Sequence, residues 1–172
     1  KQYILYPDYI FMNKNNSYFY IMPKYNSDLF HYLKKKTTPL KDKTMIKIIQ
    51  FLIQIIYQLH NINIIYGDVK LENIILKYSG DKINDIKLID FDVSLFDEIP
   101  NEFNYFDEKI LALFENKKPR GTKLYMSSNN KMNKSNDIYS IGVFIIIFFY
   151  KNIMKILQEN EENITESLKM KI

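Results

Sequence analysis

Two short stretches decide how this chain is expected to fold: residues 66–76 read YGDVKLENIIL, and residues 86–92 read IKLIDFD. Each contains an apolar, β-branched run, which predicts strands over residues 74–78 and 86–89 joined by a turn at residues 79–81. A polar loop precedes the first strand, and Asp90 follows the second. A hairpin of these strands would place Asn73 and Asp90 close together, as two oxygen ligands on one side.

The polar groups of this loop favour phosphate chemistry. An Asn and an Asp with room for water suit a Mg²⁺ ion that is held mainly by substrate phosphates. Lys70 adds a cation where phosphate charge would develop, and Asp68 adds an acceptor for a hydroxyl proton. Positioning, metal and charge stabilisation are the parts that phosphoryl transfer requires.

Upstream of the loop, the pattern predicts two strands and two helices. Aromatic and β-branched residues alternate over residues 3–25 around a polar break at 13–17, as in a hairpin. Ser27 and Asp28 offer an N-cap for a short helix over residues 29–36, with Pro39 beyond its end. Asp42 or Thr44 can cap a long helix to about residue 60, whose apolar positions recur at helical spacing.

Downstream, residues 92–120 show no steady period, which predicts a long loop. Asp137 is expected to open a helix that is apolar all round and therefore buried on all sides, and its carboxylate could serve as an ordinary N-cap. The polar tail from residue 158 is expected to be peripheral. His31 and His60 are expected at helix surfaces or ends, and Tyr66 and Phe91 in packing.

Five segments of the chain resemble, in the right order, parts of the eukaryotic protein kinases. Residues 66–73 and 90–92 resemble the catalytic loop, His-Arg-Asp-x-Lys-x-x-Asn, and the metal-binding Asp-Phe-Gly. Residues 121–126, GTKLYM, resemble the peptide-positioning loop, and residues 137–142, DIYSIG, resemble the start of the central buried helix. Residues 18–29 resemble the last strand of the small lobe with the hinge, so the resemblance covers nearly all of residues 3–150.

The resemblance implies an α+β, protein-kinase-like fold with a mainly α-helical large lobe and a short β-hairpin remnant of the small lobe. Residues 1–26 would be that remnant, two strands and the hinge. Residues 27–157 would be the core of the large lobe, and residues 158–172 a polar tail.

For the catalytic loop, the resemblance implies five roles. Asp68 would accept or orient the proton of a substrate hydroxyl, and Lys70 would stabilise the γ-phosphate, as in kinases of the Ser/Thr type. Asn73 and Asp90 would hold Mg²⁺. Thr122 would hydrogen-bond near Asp68 and Lys70. Asp137 would bind backbone N–H groups of the loop.

For ATP, the resemblance implies a site at the hinge. Met22 falls at the gatekeeper position, with Pro23 and Tyr25 next to adenine. Pro23 is compatible, because that position offers only its carbonyl. The N–H of Tyr25 would donate to the ring, Asp28 would contact the ribose, and Ile75 would form an apolar floor.

The sequence departs from the family pattern in several places. Gly67 replaces an Arg, Asp92 replaces a Gly, and residues 127–129 replace Ala-Pro-Glu. No Gly precedes Gly67, so the Gly-rich phosphate loop and its partner Lys are expected to be missing, as are the later helices. The expected function is therefore an incomplete catalytic core that phosphorylates Ser/Thr hydroxyls of protein substrates, completed by a chain or segment supplying the small lobe. The alternative is a pseudokinase or interaction module that does not turn over ATP.

Composition excludes several other classes of protein. Of 172 residues, 47% are hydrophobic and 26% charged, which is not the composition of a disordered chain. The absence of Cys excludes a disulfide scaffold and fits an intracellular, cytoplasmic location. One Arg among 24 basic residues argues against a nucleic-acid partner. The longest apolar run, residues 141–150, is shorter than the ~20 residues of a membrane span, so no membrane partner is expected.

Overall fold

A computed structural model describes residues 3–15, 17–36, 40–99, 120–128 and 131–150. The chain divides into two compact units, and each unit combines segments that are far apart in sequence. The first unit comprises residues 1–51 and 71–89, and the second comprises residues 52–70 and 90–172.

In the first unit, the predicted N-terminal hairpin forms from β1 (Tyr9–Met12) and β2 (Tyr18–Ile21). The two strands are antiparallel, with Phe11 opposite Phe19. The turn is held by the Asn13 side chain, whose Oδ1 accepts the backbone N–H groups of Asn15 and Ser17, both at 2.9 Å. All eight strand residues are large, hydrophobic and more than half exposed.

The same unit contains a three-stranded antiparallel sheet in the order β3 (Ser27–Asp28), β5 (Ile74–Ser79), β6 (Lys82–Leu88). The β6 strand begins four residues before the predicted start. A two-residue turn leaves Ser79 already paired with Lys82, so polar residues join the strand while Ile83 and Ile86 face the core. The outer edge of β6 is covered by residues 3–5, since Leu88 N–H donates to the Tyr3 carbonyl at 2.9 Å.

Helix α1 (Leu29–Lys35) begins where the sequence predicts. Asp28 is its N-cap, and Oδ1 of Asp28 accepts the N–H of His31 at 2.8 Å. Leu29 and Tyr32 are buried, and two lysines occupy the last turn, where cations are favoured. Pro39 lies outside the described residues.

Helix α2 (Asp42–Asn61) is the long helix predicted from apolar spacing, and it begins at Asp42 rather than after it. Its buried residues follow the helical period expected of an amphipathic helix. They are Ile48, Phe51, Leu52, Ile55, Ile56 and Leu59.

In the second unit, β4 (Ile64–Ile65) pairs with β7 (Leu95–Phe96) in an antiparallel ladder. Ile65, Leu95 and Met132 form a buried cluster beside it. The prediction of a continuous loop over residues 92–120 is therefore wrong at β7. A two-residue strand leaves no period in the sequence, because its pairing is decided by the partner strand. Residues 100–119 lie outside the described residues.

Helix α3 (Lys134–Phe149) starts three residues before the predicted position. Asn133 is its N-cap and forms a capping box with Asn136, so Asp137 lies inside the helix. Burial is one-sided: Phe144 and Ile147 are buried, whereas Ile138 and Phe149 are more than half exposed. The prediction of burial on all sides is wrong in that respect.

The tail from residue 158 lies outside the described residues. Within the described part of the chain, none of the helices combines the length and the apolar character that crossing a bilayer would need. The predicted boundaries at residues 26/27 and 157/158 stay predictions.

Candidate active site

The loop after β4 places Asp68 and Lys70 side by side. The Asp68 residue is only 7% exposed, and Nζ of Lys70 lies 2.6 Å from its Oδ2. Hydrogen bonds between an ammonium group and a carboxylate are shorter and stronger than those between neutral groups. The Asp68 carboxylate is therefore held by a cation on one of its two oxygens.

The other oxygen of Asp68 is held by Thr122, which comes from the loop before the 3-10 turn at Lys123–Tyr125. Both the backbone N–H and the hydroxyl of Thr122 donate to Oδ1, at 2.9 and 2.8 Å. Nζ of Lys70 also donates to Oγ1 of Thr122 at 3.1 Å. Three of the residues predicted for catalysis are thus brought into one hydrogen-bonded triangle.

Two glycines allow the loops of Asp68 and Thr122 to approach closely. Gly121 has φ +118°, and a Cβ there would overlap the carbonyl oxygen of Gly67. Gly67 has φ +84°, and a Cβ there would overlap the end of the Met132 side chain. Both dihedrals lie in the region that glycine adopts without strain. Residue 67 is a Gly where the family motif has an Arg. In this structure the apolar end of the Met132 side chain lies beside it.

Asp137 holds the backbone of the same loop through hydrogen bonds. It is fully buried, and its carboxylate accepts the N–H groups of Tyr66 and Gly67 at 2.9 and 2.8 Å. A buried charge must be compensated by hydrogen bonds or by an opposite charge. The alternative of an ordinary N-cap for α3 is wrong, since Asn133 fills that position.

His60 completes the compensation of Asp137 and was not predicted to do so. Its Nε2 lies 2.8 Å from Oδ2 of Asp137, and its side chain is only 14% exposed. The expectation of a helix-end residue is right, but that of a surface residue is not. The two residues are 77 positions apart, so no local spacing in the sequence could have paired them.

Tyr66 and Phe91 pack edge to face in the second unit, with ring centroids 5.1 Å apart. Tyr66 is fully buried, and its carbonyl accepts the hydroxyl of Ser94 at 2.7 Å. These contacts place the residues around Asp90 against the residues around Asp68 within one unit.

Asp90, the predicted metal ligand, has φ +63° and an exposed side chain. Its Oδ1 accepts the N–H of Asp92 at 3.4 Å. Asp tolerates the left-handed region better than most residues, and strained dihedrals cluster at functional sites. Among the described residues the non-glycine positive φ angles are those of Asn63 and Asp90. Asp92 therefore carries its side chain without backbone strain, although it replaces a Gly of the family motif.

Asn73, the other predicted ligand, belongs to the first unit and is 4% exposed. It ends the 3-10 turn Leu71–Asn73, and its carbonyl accepts the N–H of Ile89 at 3.0 Å. An amide oxygen and a carboxylate are donors that suit Mg²⁺. The described residues contain no group of three or more His, Cys, Asp or Glu arranged to hold a metal. A Mg²⁺ ion bound mainly by phosphates would not need such a group of protein ligands.

The residues predicted to contact adenine and ribose lie in the first unit, whereas Asp90 lies in the second. Met22 and Pro23 are exposed, and Asp28 pairs with Ile75 in the β3–β5 ladder. Both oxygens of Asp28 face His31, Oδ1 its N–H and Oδ2 its Nδ1 at 2.7 Å. The Tyr25 hydroxyl donates to Oδ2 of Asp85 at 2.5 Å, a contact that the sequence did not predict.

Comparison with known proteins gives the class of protein that the sequence motifs around Asp68 resemble. Residues 2–172 match the family described as the protein kinase domain, and the chain belongs to that family. The prediction of a protein-kinase-like fold is confirmed.

Two solved structures share this fold. One is the yeast RNA Pol II CTD kinase CTDK-1 complex, at 17% identity and a TM-score of 0.67 over 88% of this chain and 46% of that chain. The other is the kinase PK-1 of the Cydia pomonella granulovirus, at 23% identity and a TM-score of 0.63 over 87% of this chain and 52% of that one. The chain thus spans about half the length of these solved kinase chains.

Proposed function

We propose that this chain carries the catalytic core of a Ser/Thr protein kinase, which transfers the γ-phosphate of ATP to hydroxyl groups of protein substrates. The observation that supports it most is the arrangement around Asp68, whose two carboxylate oxygens are held by Lys70 and Thr122. A fixed carboxylate beside a fixed ammonium group offers both an acceptor for a proton and a charge for a phosphate.

In the proposed reaction, a Ser or Thr oxygen of the substrate forms a bond to the γ-phosphorus. The bond from that phosphorus to the bridging oxygen breaks, and ADP leaves with the electron pair. The hydroxyl proton passes to the Asp68 carboxylate. Lys70 stabilises the negative charge on the transferred group, which is the main contribution a protein makes to this chemistry. Thr122 holds Asp68 in one orientation.

The proposed cofactors are ATP and Mg²⁺. Asn73 and Asp90 would hold the ion, which when bound neutralises charge on the triphosphate. Adenine and ribose would be bound by the hinge residues, namely Met22, Pro23, Tyr25, Asp28 and Ile75. In this site Pro23 contributes its carbonyl and Tyr25 its N–H.

The test is a transfer assay with the longest native chain that contains these residues, using peptides with Ser, Thr or Tyr as the acceptor. We expect phosphate on Ser and Thr. Asp68→Asn and Asp90→Asn should lower the rate at least a hundredfold, on the scale of losing a general base or a metal ligand. Glu98→Gln, an exposed residue next to β7, is the matched control and should leave the rate unchanged. Transfer that survives both Asp replacements would contradict the proposal.

The exposed hairpin β1–β2 supports a proposed partner. Its eight large side chains are each more than half exposed, and a two-stranded ribbon is marginal in water. We propose that further strands, from another segment or another chain, cover this hairpin. The chain alone should then self-associate. Phe11 and Phe19 face each other across the hairpin. The double variant Phe11→Lys, Phe19→Lys should show less self-association than the wild type in sedimentation velocity. Equal association of the variant and the wild type would contradict the proposal.

The same exposed hairpin also favours the alternative function, an interaction module that does not turn over ATP. That alternative predicts partner binding that is insensitive to ATP and Mg²⁺. A ligand that binds only the native state raises the melting temperature. A rise in Tm with ATP and Mg²⁺ that Asp90→Ala abolishes would therefore count against the alternative.

A further inference from the structure

The C-terminal part of the segment from Met22 to Asp28 is attached to the three-stranded sheet of the first unit. Asn26 N–H donates to the Leu76 carbonyl at 3.0 Å, and Oδ1 of Asn26 accepts the N–H of Tyr78 at 2.8 Å. Ser27 and Asp28 then continue as β3 beside β5. Residues 22–24 are exposed. Tyr25 lies between these exposed residues and the part that is attached to the sheet.

Tyr25 is held by a contact that crosses β5 and reaches β6. Its hydroxyl donates to Oδ2 of Asp85 at 2.5 Å, which is a short, charge-assisted hydrogen bond. Lys77, which is paired with Asp85 in the β5–β6 register, lies with its Nζ 5.5 Å from the centroid of the Tyr25 ring. The ring is thus fixed at its hydroxyl and contacted on its face by a cation.

Asp85 is itself oriented by its surroundings. Its Oδ1 accepts the N–H of Ile86 at 2.9 Å, and Nζ of Lys87 lies 3.4 Å from the same oxygen. Both carboxylate oxygens therefore have assigned partners, and Oδ2 remains directed at Tyr25. Asp85 is part-buried, and so is its hydrogen bond to Tyr25.

The protonation states of the two groups keep this bond in place over the ordinary pH range. Burial, then the hydrogen bond and charge of Asp85, raise the pKa of the Tyr25 hydroxyl. Burial works to raise the pKa of Asp85, but the Tyr25 hydroxyl, the charge of Lys87 and the N–H of Ile86 outweigh it and lower that pKa. The donor stays protonated and the acceptor stays ionised.

We propose that Tyr25 and Asp85 are positioning residues, whose hydrogen bond fixes the backbone of residues 22–25 in the conformation that receives the adenine ring. The inference rests on the proposed ATP site. It adds that the side chain of Tyr25 does not contact the nucleotide but holds the peptide whose N–H does. Ordering a backbone residue has an entropic cost, and a segment that is ordered before binding does not incur that cost again.

The experiment compares nucleotide affinity in the full chain for the wild type, Tyr25→Phe, Asp85→Ala and the double variant. Losing a hydrogen bond to a charged group should weaken Mg²⁺–ATP binding by about tenfold. The KM for ATP should rise while kcat and the KM for the protein substrate stay unchanged. The double variant should bind no more weakly than either single variant, because one bond is lost in all three.

Two further variants separate positioning from a general loss of structure. Asp85→Asn keeps an oxygen acceptor for the Tyr25 hydroxyl and should retain most of the affinity. Tyr57→Phe removes an equivalent hydroxyl from a residue that is 65% exposed on α2, and should change nothing. Each variant is used only where its far-UV spectrum matches that of the wild type. Where Tyr25→Phe does not fold, Asp85→Ala and Asp85→Asn give the same comparison.

A second measurement without nucleotide tests the tether independently of the proposed function. Amide hydrogen exchange of Asn26, whose N–H next to Tyr25 donates to the Leu76 carbonyl, should accelerate about tenfold in Tyr25→Phe and Asp85→Ala. Exchange and ATP affinity that equal those of the wild type in both variants would overturn the inference. Failure of the wild type to bind nucleotide would instead overturn the proposed function, and the exchange rates would still decide whether the tether exists.

Discussion

Thr122 and Asp68 are joined by two hydrogen bonds to a single oxygen. The N–H and the hydroxyl of Thr122 both donate to Oδ1 of Asp68, although the residues are 54 positions apart. This double contact brings the two loops of the proposed catalytic site together. It leaves Oδ2 of Asp68 for the ammonium group of Lys70.

Replacing Thr122 with Val should lower kcat by about tenfold and change the KM for ATP little. Val keeps the shape and the backbone N–H but removes the hydroxyl that orients Asp68 and accepts from Lys70, a loss worth about 1–2 kcal/mol. Thr122→Ser should retain most of the activity, and Thr44→Val in α2 is the matched control. Steady-state kinetics make the comparison. Equal kcat values for Val and Thr at residue 122 would show that the hydroxyl has no role.

Asp137→Asn should destabilise the protein by about 2–4 kcal/mol, measured by urea unfolding. An amide group cannot accept from all three donors, and its NH₂ would face an N–H of the loop, which leaves buried polar groups unsatisfied. Asp92→Asn, an exposed residue, is the control and should change the free energy of unfolding by less than about 0.5 kcal/mol. His60→Ala should couple to Asp137→Asn in a double-mutant cycle. Strict additivity would contradict the contact.

Gly67→Ala should destabilise the protein by about 1–2 kcal/mol, because φ of +84° is unfavourable for a residue with a Cβ. The contact with Met132 should add less, since the end of a methionine side chain can move. Gly142→Ala is the matched control: a Cβ there meets nothing within 4 Å, so it should stabilise α3 by about 0.5–1 kcal/mol. Thermal unfolding of both variants gives the comparison. A Gly67→Ala variant as stable as the wild type would contradict the expected backbone strain at residue 67.

Much of the fold was predictable because it follows local patterns. The period of α2, the polar break between β1 and β2, and the cap at Asp28 are properties of neighbouring residues. The start of α3 was misplaced for a related reason. Asp137 is a good N-cap residue by type, but Asn133 and Asn136 form a complete capping box three residues earlier. Asp137 was the one residue named as the start of this helix, and its carboxylate instead binds Tyr66, Gly67 and His60, which are distant in sequence.

The contacts that assemble the sites were less predictable from the residues alone. Asp68 and Thr122 were grouped through the family resemblance, not through spacing. His60–Asp137 and Tyr25–Asp85 join residues 77 and 60 positions apart, without a repeating pattern. The polar start of β6 was missed for the same reason. Asp85 belongs to the strand because it pairs with Lys77 of β5, and no alternation in the sequence indicates that pairing.

The stability of the protein should fall in acid partly through Asp85. Its folded pKa is lowered, so its contribution is present above the unfolded pKa and is lost as pH falls through the folded one, below about pH 4. Tyr25 has a raised pKa, and its contribution is present below about pH 10 and is lost as pH rises further. Urea midpoints measured from pH 7 to 3 should fall less steeply for Asp85→Asn than for the wild type. Identical slopes would contradict the shift at Asp85.

The most direct test of the proposed site is a crystal structure of the full chain with Mg²⁺ and a non-hydrolysable ATP analogue. We predict one ion bound by the side-chain oxygens of both Asn73 and Asp90 at about 2.0–2.1 Å. The γ-phosphate should lie against Lys70 and face Asp68. An ion or a triphosphate bound away from these four residues would contradict the account.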